Sequence, residues 1–456
     1  MEKSDSFEDV NRFKELHSLL DRGEFTEVIS SIDSRSATQE QDLVLKAFAL
    51  LQKGHFDASE KLCERLLTSD SRWIKTQVYR TLSAIKWNNG LVSEGVELAE
   101  KSLDLLADLQ PRSYQEKKIT ASVLHNYGTV KVEIGELISA EKQLTRSIAI
   151  SKEIGDEVRK ATSAVNLANI YHKQGKLYEA LTLSHEGLST FERSNNEAAT
   201  AWIVGNIGLI HAQRGEDKIA IDCIMKCLEL EKKVGNPMRI AETYPDLIRI
   251  LLRSNRIDEA KEKLTELRII VGNDKKLHHL VQFSQAMILK NENRMVDKAE
   301  AIKLFEWYLK SDYKTQEFEI QTRFHLCDLL YDEFIMYSNP EVHAEIREHI
   351  DIVYEDTQAN FMIPDLIKTL ILKSKILLAE YKFEEADKIL EQAIMLGEEN
   401  GIDYLRKQAV LEQELIHDSM GEWETMLERG SSLRERAEKT NLKKYISEVL
   451  RLISDY

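Results

Sequence analysis

The chain has 456 residues, 43% hydrophobic and 31% charged, too long for one small globule and apolar enough to bury an extensive core. Its net charge of −16 repels a phosphate backbone, which sets nucleic acid aside as the expected partner. Only 18 glycines and 5 prolines stand among runs of Ala, Leu, Ile, Glu and Lys, a composition that predicts an all-α protein.

The N-terminal "MEKSDSFEDVNRF" is polar and lacks the apolar stretch of a secretory signal. Cys63, Cys223, Cys227 and Cys327 are too few and too scattered for a disulfide framework. The most apolar stretch, "LIKTLILKSKILLAEY", is broken by Lys368, Lys373 and Lys375, so no membrane insertion is expected. These features predict a cytoplasmic chain with reduced thiols.

In chain order, "RGEFTEVISSI" opens the series as a degenerate helix–turn–helix unit. "KGHFDASEKL" with Ala58, and "NGLVSEG" with Gly90 and Gly95, make two more. A strict period then begins. Gly135, Gly175, Gly215 and Asn255 mark turns, and Ala140, Ala180, Ala220 and Ala260 follow each by five residues. Val130, Ile170, Ile210 and Ile250 form one apolar column, and Tyr127, Leu167, Ile207 and Leu247 another. Each unit reads as two helices, with apolar residues at helical spacing on both sides of the turn. The turn residue takes a left-handed backbone, and the alanine stays small where two helices cross. Gly155-Asp156, Asn195-Asn196 and Gly235-Asn236 punctuate the links, each a left-handed residue followed by an N-cap. Pro237 suits a first helical position, whereas Pro245 should kink or delay its helix.

Beyond residue 272 the period loosens. Residues 276–311 and 316–357 read as divergent pairs with longer helices, and "YKFEEADKILEQAI" with Ala386 is a good second helix. "MGEWETML" around Gly421 is a poorer one, and "NLKKYISEVLRLISDY" reads as a single closing helix. No linker divides the chain. The expectation is one continuous solenoid: divergent repeats over 1–114, regular repeats over 115–271, and divergent repeats with a cap over 272–456.

"NLANIYHKQGKLYEA", with Leu167, Ala168, Tyr171, Gly175 and Ala180 at their spacings, resembles the tetratricopeptide repeat (TPR) family. The forty-residue period, with "EIGD" and "NLAN", is similar to the subclass of Pins-type G-protein-signalling modulators and kinesin light chains. The resemblance is strongest over 115–271. It implies an α-α superhelix of about eleven helix pairs plus a C-terminal capping helix.

No phosphate-binding loop, dinucleotide fingerprint, nucleophile elbow or zinc-protease motif occurs. Cys223 and Cys227 stand four apart on one helix face, but without a second Cys/His pair they read as packing rather than a metal site. His278-His279 and His343/His349 are read in the same way, and Glu384, Glu385 and Asp387 as a solvated face. Phe305, Trp307 and Tyr308 read as core, with a docking patch as the alternative. No cofactor is expected.

The face of each first helix away from its apolar stripe carries Ser122/Asn126/Thr129, then Thr162/Asn166/Asn169/Lys173, then Trp202/Asn206, then Glu242/Asp246/Arg249/Arg253. The resemblance implies that this face lines a concave groove and that polar side chains there hydrogen-bond an extended peptide. Asn126, Asn166, Asn169, Lys173, Trp202, Asn206, Asp246 and Arg249 are therefore the candidate binding residues. An amide both donates and accepts, so it can hold a peptide group whatever the ligand's side chain. The same asparagines could instead tie neighbouring repeats together, and Trp202 could be a ligand anchor or an inter-repeat contact. Asp246 departs from the asparagine column. The expected function is a non-catalytic scaffold or adaptor for a peptide or partner protein. A peptide-sensing regulator and a self-assembling scaffold are the alternatives, and the sequence leaves the oligomeric state open.

Overall fold

The computed structural model describes residues 7–453 except 36–38, 90, 108, 135, 236, 312–315 and 361. Gly90, Gly135 and Asn236 therefore lie outside the described residues. Everything else regular is helix, with no strand among the described residues.

The chain forms two compact units, Met1–Tyr171 with Thr182–Asn196, and His172–Leu181 with Glu197–Tyr456. The helices of the first are α1 (Phe7–Asp21), α2 (Phe25–Asp33), α3 (Glu40–Gln52), α4 (Phe56–Leu66), α5 (Arg72–Asn88), α6 (Val92–Ala107), α7 (Tyr114–Glu133) and α8 (Leu137–Glu153). Most of α9 (Glu157–Lys173) and α10 (Leu177–Arg193) belongs there too. The second unit takes their turn, then α11 (Glu197–Gln213), α12 (Asp217–Val234), α13 (Pro237–Arg253), α14 (Ile257–Val271), α15 (His278–Lys290) and α16 (Met295–Leu309). It ends with α17 (Gln316–Tyr337), α18 (Pro340–Ala359), α19 (Ile363–Ala379), α20 (Phe383–Glu399), α21 (Asp403–Asp418), α22 (Met420–Glu428), α23 (Leu433–Lys439) and α24 (Leu442–Ile453).

α1 to α22 are the eleven expected pairs and α24 the expected closing helix, while the short α23 was not anticipated. It exists because Ser432 and Glu435 form a reciprocal capping box at its start. In the pairs from α1–α2 to α7–α8 of the first unit and from α11–α12 to α21–α22 of the second, the two helices pack on one another. First helices also meet the first helices of adjacent pairs: α1 with α3, α3 with α5 and α5 with α7 in the first unit, α13 with α15 and α19 with α21 in the second. Neighbouring first helices thus pack side by side as a layer in each unit, and their faces turned from the second helices form what we call the first-helix face.

The turn chemistry follows the repeat. Gly175 and Gly215 have φ of +74° and +76°, and Asn255 takes their place at +57°. Between pairs, Gly155 and Asn195 are left-handed as well, and Asp156 Oδ1 accepts from the Arg159 N–H at 3.0 Å as an N-cap. The small alanines Ala140, Ala180, Ala220 and Ala260 are fully buried. α13 starts at Pro237 and runs through Pro245 to Arg253, so that proline does not delay the helix. Gly421 sits inside α22, which follows α21 after Ser419 alone. Of the divergent pairs, only α17 and α18 are long, at 22 and 20 residues.

Close helix crossing explains the small residues of the first helices. A Cβ on Gly128 would lie 2.7 Å from Leu144 Cγ, and one on Gly208 would lie 2.9 Å from Ile224 Cδ1 and 3.0 Å from Cys223 Cβ. Gly208→Val is expected to destabilise by about 1–3 kcal/mol through overpacking, read as a lower denaturant midpoint. An unchanged midpoint would mean that α11 and α12 separate freely.

Candidate functional site

In the first unit, Asn126 and Asn169 are half-buried on the first-helix face of α7 and α9, while Asn166 is 9% exposed. Asn166 Nδ2 donates to Thr129 Oγ1 at 2.7 Å, and Thr129 Oγ1 donates to the His125 carbonyl at 2.9 Å. Deeper in the same layer, Ser147 Oγ donates to the Ala121 carbonyl at 2.8 Å and lies 3.0 Å from Ser163 Oγ, which meets His125 Nδ1 at 3.1 Å. Asn166 thus ties α9 to α7, and a serine–histidine chain behind it ties both to α8. Sequence reading missed Thr129, Ser147 and Ser163 as partners, because nothing in the repeat says which polar side chains meet across helices. Asn166→Ala should lower stability by about 1 kcal/mol, measured by denaturant unfolding. An unaltered midpoint would show that the bond is idle and leave the amide available to a ligand.

In the second unit, Trp202 and Asn206 are half-buried on α11. On α13 the row changes character. Arg249 Nη2 and Asp246 Oδ1 are 2.9 Å apart, with side chains 12% and 27% exposed. Burial raises the Asp246 pKa more than Arg249 lowers it. Arg253 serves structure: it pairs with Asp217, and its Nη2 donates to the Ala212 carbonyl at 2.7 Å. Lys173 is half-buried at the end of α9, next to His172, whose pKa burial pushes down to about 3. The first-helix rows therefore offer amides in one unit, and an indole, an amide and a charge pair in the other.

The C-terminal segment adds a feature that periodicity did not reveal. α24 packs on the first helices α17 and α19, and α23 packs on α19. Leu442, Ile446 and Val449 are fully buried, and Lys375 Nζ lies 5.5 Å from the Tyr445 ring. Side chains also bond backbone in both directions between the layer and this segment. Lys375 Nζ donates to the Thr440 carbonyl at 3.1 Å, and Arg436 Nε of α23 donates to the Ala379 carbonyl at 2.7 Å. Lys443 Nζ of α24 donates to the Asp328 carbonyl at 2.7 Å.

The remaining candidates resolve into packing. Cys223 is half-buried and Cys227 buried against α11, where burial raises the Cys227 thiol to about 12. Phe305 and Tyr308 are fully buried around Phe283, while Trp307 is 44% exposed. His279 lies against Tyr308 and His343 against Phe334, and His349 Nδ1 is 3.3 Å from Arg323. Glu384 and Glu385 are exposed, and Asp387 accepts from Gln413 at 2.8 Å. No helix among the described residues is long and apolar enough to cross a membrane.

A family model described as the MalT-like TPR region matches residues 74–407. A search of curated proteins finds no match. Among solved structures, a Rap protein complexed with Competence and Sporulation Factor is similar, at 10% identity and TM-score 0.52, covering 88% of this chain and 100% of that one. The apo quorum sensor NprR from B. thuringiensis is similar at 12% identity and TM-score 0.50, covering 78% and 98%. TPR-like repeats of a putative kinesin light chain from Podospora anserina match at 17% identity and TM-score 0.38, covering 45% and 100%. At these identities the first two show a shared fold, and the third carries no argument.

Proposed function

Because this chain belongs to the MalT-like TPR family, we propose that it is a non-catalytic scaffold whose first-helix faces bind a segment of a peptide or partner protein. The observation that carries the reading is internal to the second unit. There the first-helix layer already holds a segment, α23–α24, through a buried apolar stripe and a bond from the Lys375 ammonium of α19 to the Thr440 carbonyl. Backbone-directed bonds of that kind do not depend on the ligand's side chains. The Rap protein of similar fold was solved with a bound factor, in keeping with this use of the architecture. On this reading the first unit would present Asn126, Asn166 and Asn169, and the second Lys173, Trp202, Asn206, Asp246 and Arg249.

The test is capture from the source cell with wild type, an Asn126→Ala/Asn169→Ala variant and a Trp202→Ala/Asn206→Ala variant, each shown by circular dichroism to be folded. A partner retained by wild type and lost by either folded variant supports the reading and assigns the face. Identical capture by all three overturns it.

A further inference from the structure

Two arginines in the first unit, Arg80 buried and Arg159 half-buried, each bury a guanidinium Nε that has no hydrogen-bond partner among the described residues. Arg80 of α5 is 9% exposed, and its Nε is buried with no hydrogen-bond partner among the described residues. Its guanidinium lies 4.7 Å over the ring of Phe48 from α3. Arg159 of α9 likewise buries an unpartnered Nε. His17 of α1 buries an unpartnered Nε2, while His125 of α7 sets its Nδ1 against Ser163 Oγ at 3.1 Å. With Phe48 of α3, these side chains come from five first helices, α1, α3, α5, α7 and α9.

The surrounding charges are accounted for elsewhere. Asp42 pairs with Arg12 at 2.8 Å, while Asp21 and Asp156 hold Lys118 at 3.1 and 3.0 Å. Neither Arg80 nor Arg159 has a carboxylate at ion-pair distance among the described residues. Arg159 acts on Asp21, whose pKa it helps to lower against burial, and also on Arg80: burial and the Arg159 charge push the Arg80 pKa down to about 9, and both arginines help to hold His17 and His125 below the ordinary imidazole value, beyond the effect of burial.

Burying the Arg80 charge with a second cation acting on it is unfavourable, and an apolar chain of the same length would pack there at less cost. A structural role does not call for two cations, least of all in a chain of net charge −16. A guanidinium fork, by contrast, matches the geometry of a carboxylate or phosphate oxygen pair. Phe48 backs one fork as an aromatic platform.

We propose that Arg80 and Arg159, framed by Phe48, His17 and His125, form an oxyanion-binding site on the first-helix face of the first unit, for a carboxylate or a phosphate. The site is independent of the peptide reading, since a small anion would bind whether or not a segment does.

The test uses the full chain and measures thermal unfolding in chloride, inorganic phosphate and acetate at equal ionic strength. It compares wild type with Arg80→Met, Arg159→Met and Arg80→Lys. We expect a rise of a few degrees in wild type with phosphate or acetate beyond chloride, and whichever ion is effective identifies the ligand class. Both Met variants should lose that rise, yet melt in chloride at or above wild type, because a buried unpaired charge has gone. Arg80→Lys should fold and keep only part of the rise, since an ammonium lacks the fork. The proposal requires both halves. A wild type indifferent to both anions overturns it, as do Met variants that retain the full rise or melt well below wild type in chloride.

Discussion

Asp328→Ala should lower the unfolding free energy by about 3–5 kcal/mol, the range for removing one partner from a buried charge network. Asp328, 11% exposed at its side chain, joins three helices. Its Oδ2 is 2.7 Å from Lys290 Nζ of α15, and its Oδ1 is 2.8 Å from Lys443 Nζ of α24. Burial alone would raise the Asp328 pKa, but the two lysines more than offset this and hold it at about 2. Lys290 is itself so buried that its pKa is lowered, so removing Asp328 strands a cation in the core. Lys443 keeps Asp332 at 2.8 Å and suffers less. Denaturant unfolding gives the total, and hydrogen exchange should show α24 opening faster. Adding Lys290→Met should recover much of the loss, since the stranded charge is then gone. A loss below about 1 kcal/mol would mean that water reaches Lys290 as readily as Asp328 does.

The second large effect is acid lability well above the carboxylate range. Burial lowers the pKa of His172 to about 3 and of His349 to about 4, and puts His17, His125 and His325 well below the ordinary value. These rings are neutral in the fold and take up a proton near pH 6.5 once unfolded. Below that pH the unfolded chain holds more protons, so stability rises with pH and is lost as pH falls from about 6.5 toward the folded values. Each such histidine contributes a slope of up to about 1.4 kcal/mol per pH unit within its window. Buried carboxyls with raised pKa, among them Asp21, Glu231 and Asp246, oppose the trend. The test therefore compares slopes: the denaturant midpoint should fall between pH 7.5 and 5, and less steeply in His172→Gln than in wild type. A flat wild-type profile, or parallel slopes, would refute the assignment.

Periodicity is a local property, and it was enough to define the fold. A turn residue and a small alanine recur because each pair must reverse direction and cross closely, and a forty-residue interval fixes which side of each helix is apolar. The left-handed Gly175, Gly215 and Asn255, and the close approaches at Gly128 and Gly208, follow from that alone. The asparagine column was legible for the same reason, as a polar residue repeating on one face.

What a polar residue meets across that face depends on distances between helices far apart in sequence, and no repeat unit encodes them. The bond from Asn166 to Thr129 was one of two readings the column allowed. The stripe Leu442/Tyr445/Ile446/Val449 marks α24 as amphipathic but is equally suited to covering an open end, and only packing seats it on α17 and α19. Arg80 and Arg159 belong to none of the columns by which the repeat is read. The burial of Arg80 and of the Arg159 Nε depends on how the first helices pack on one another, so the sequence determined the helices and their apolar faces, and the tertiary structure alone decided which charges would lose their water.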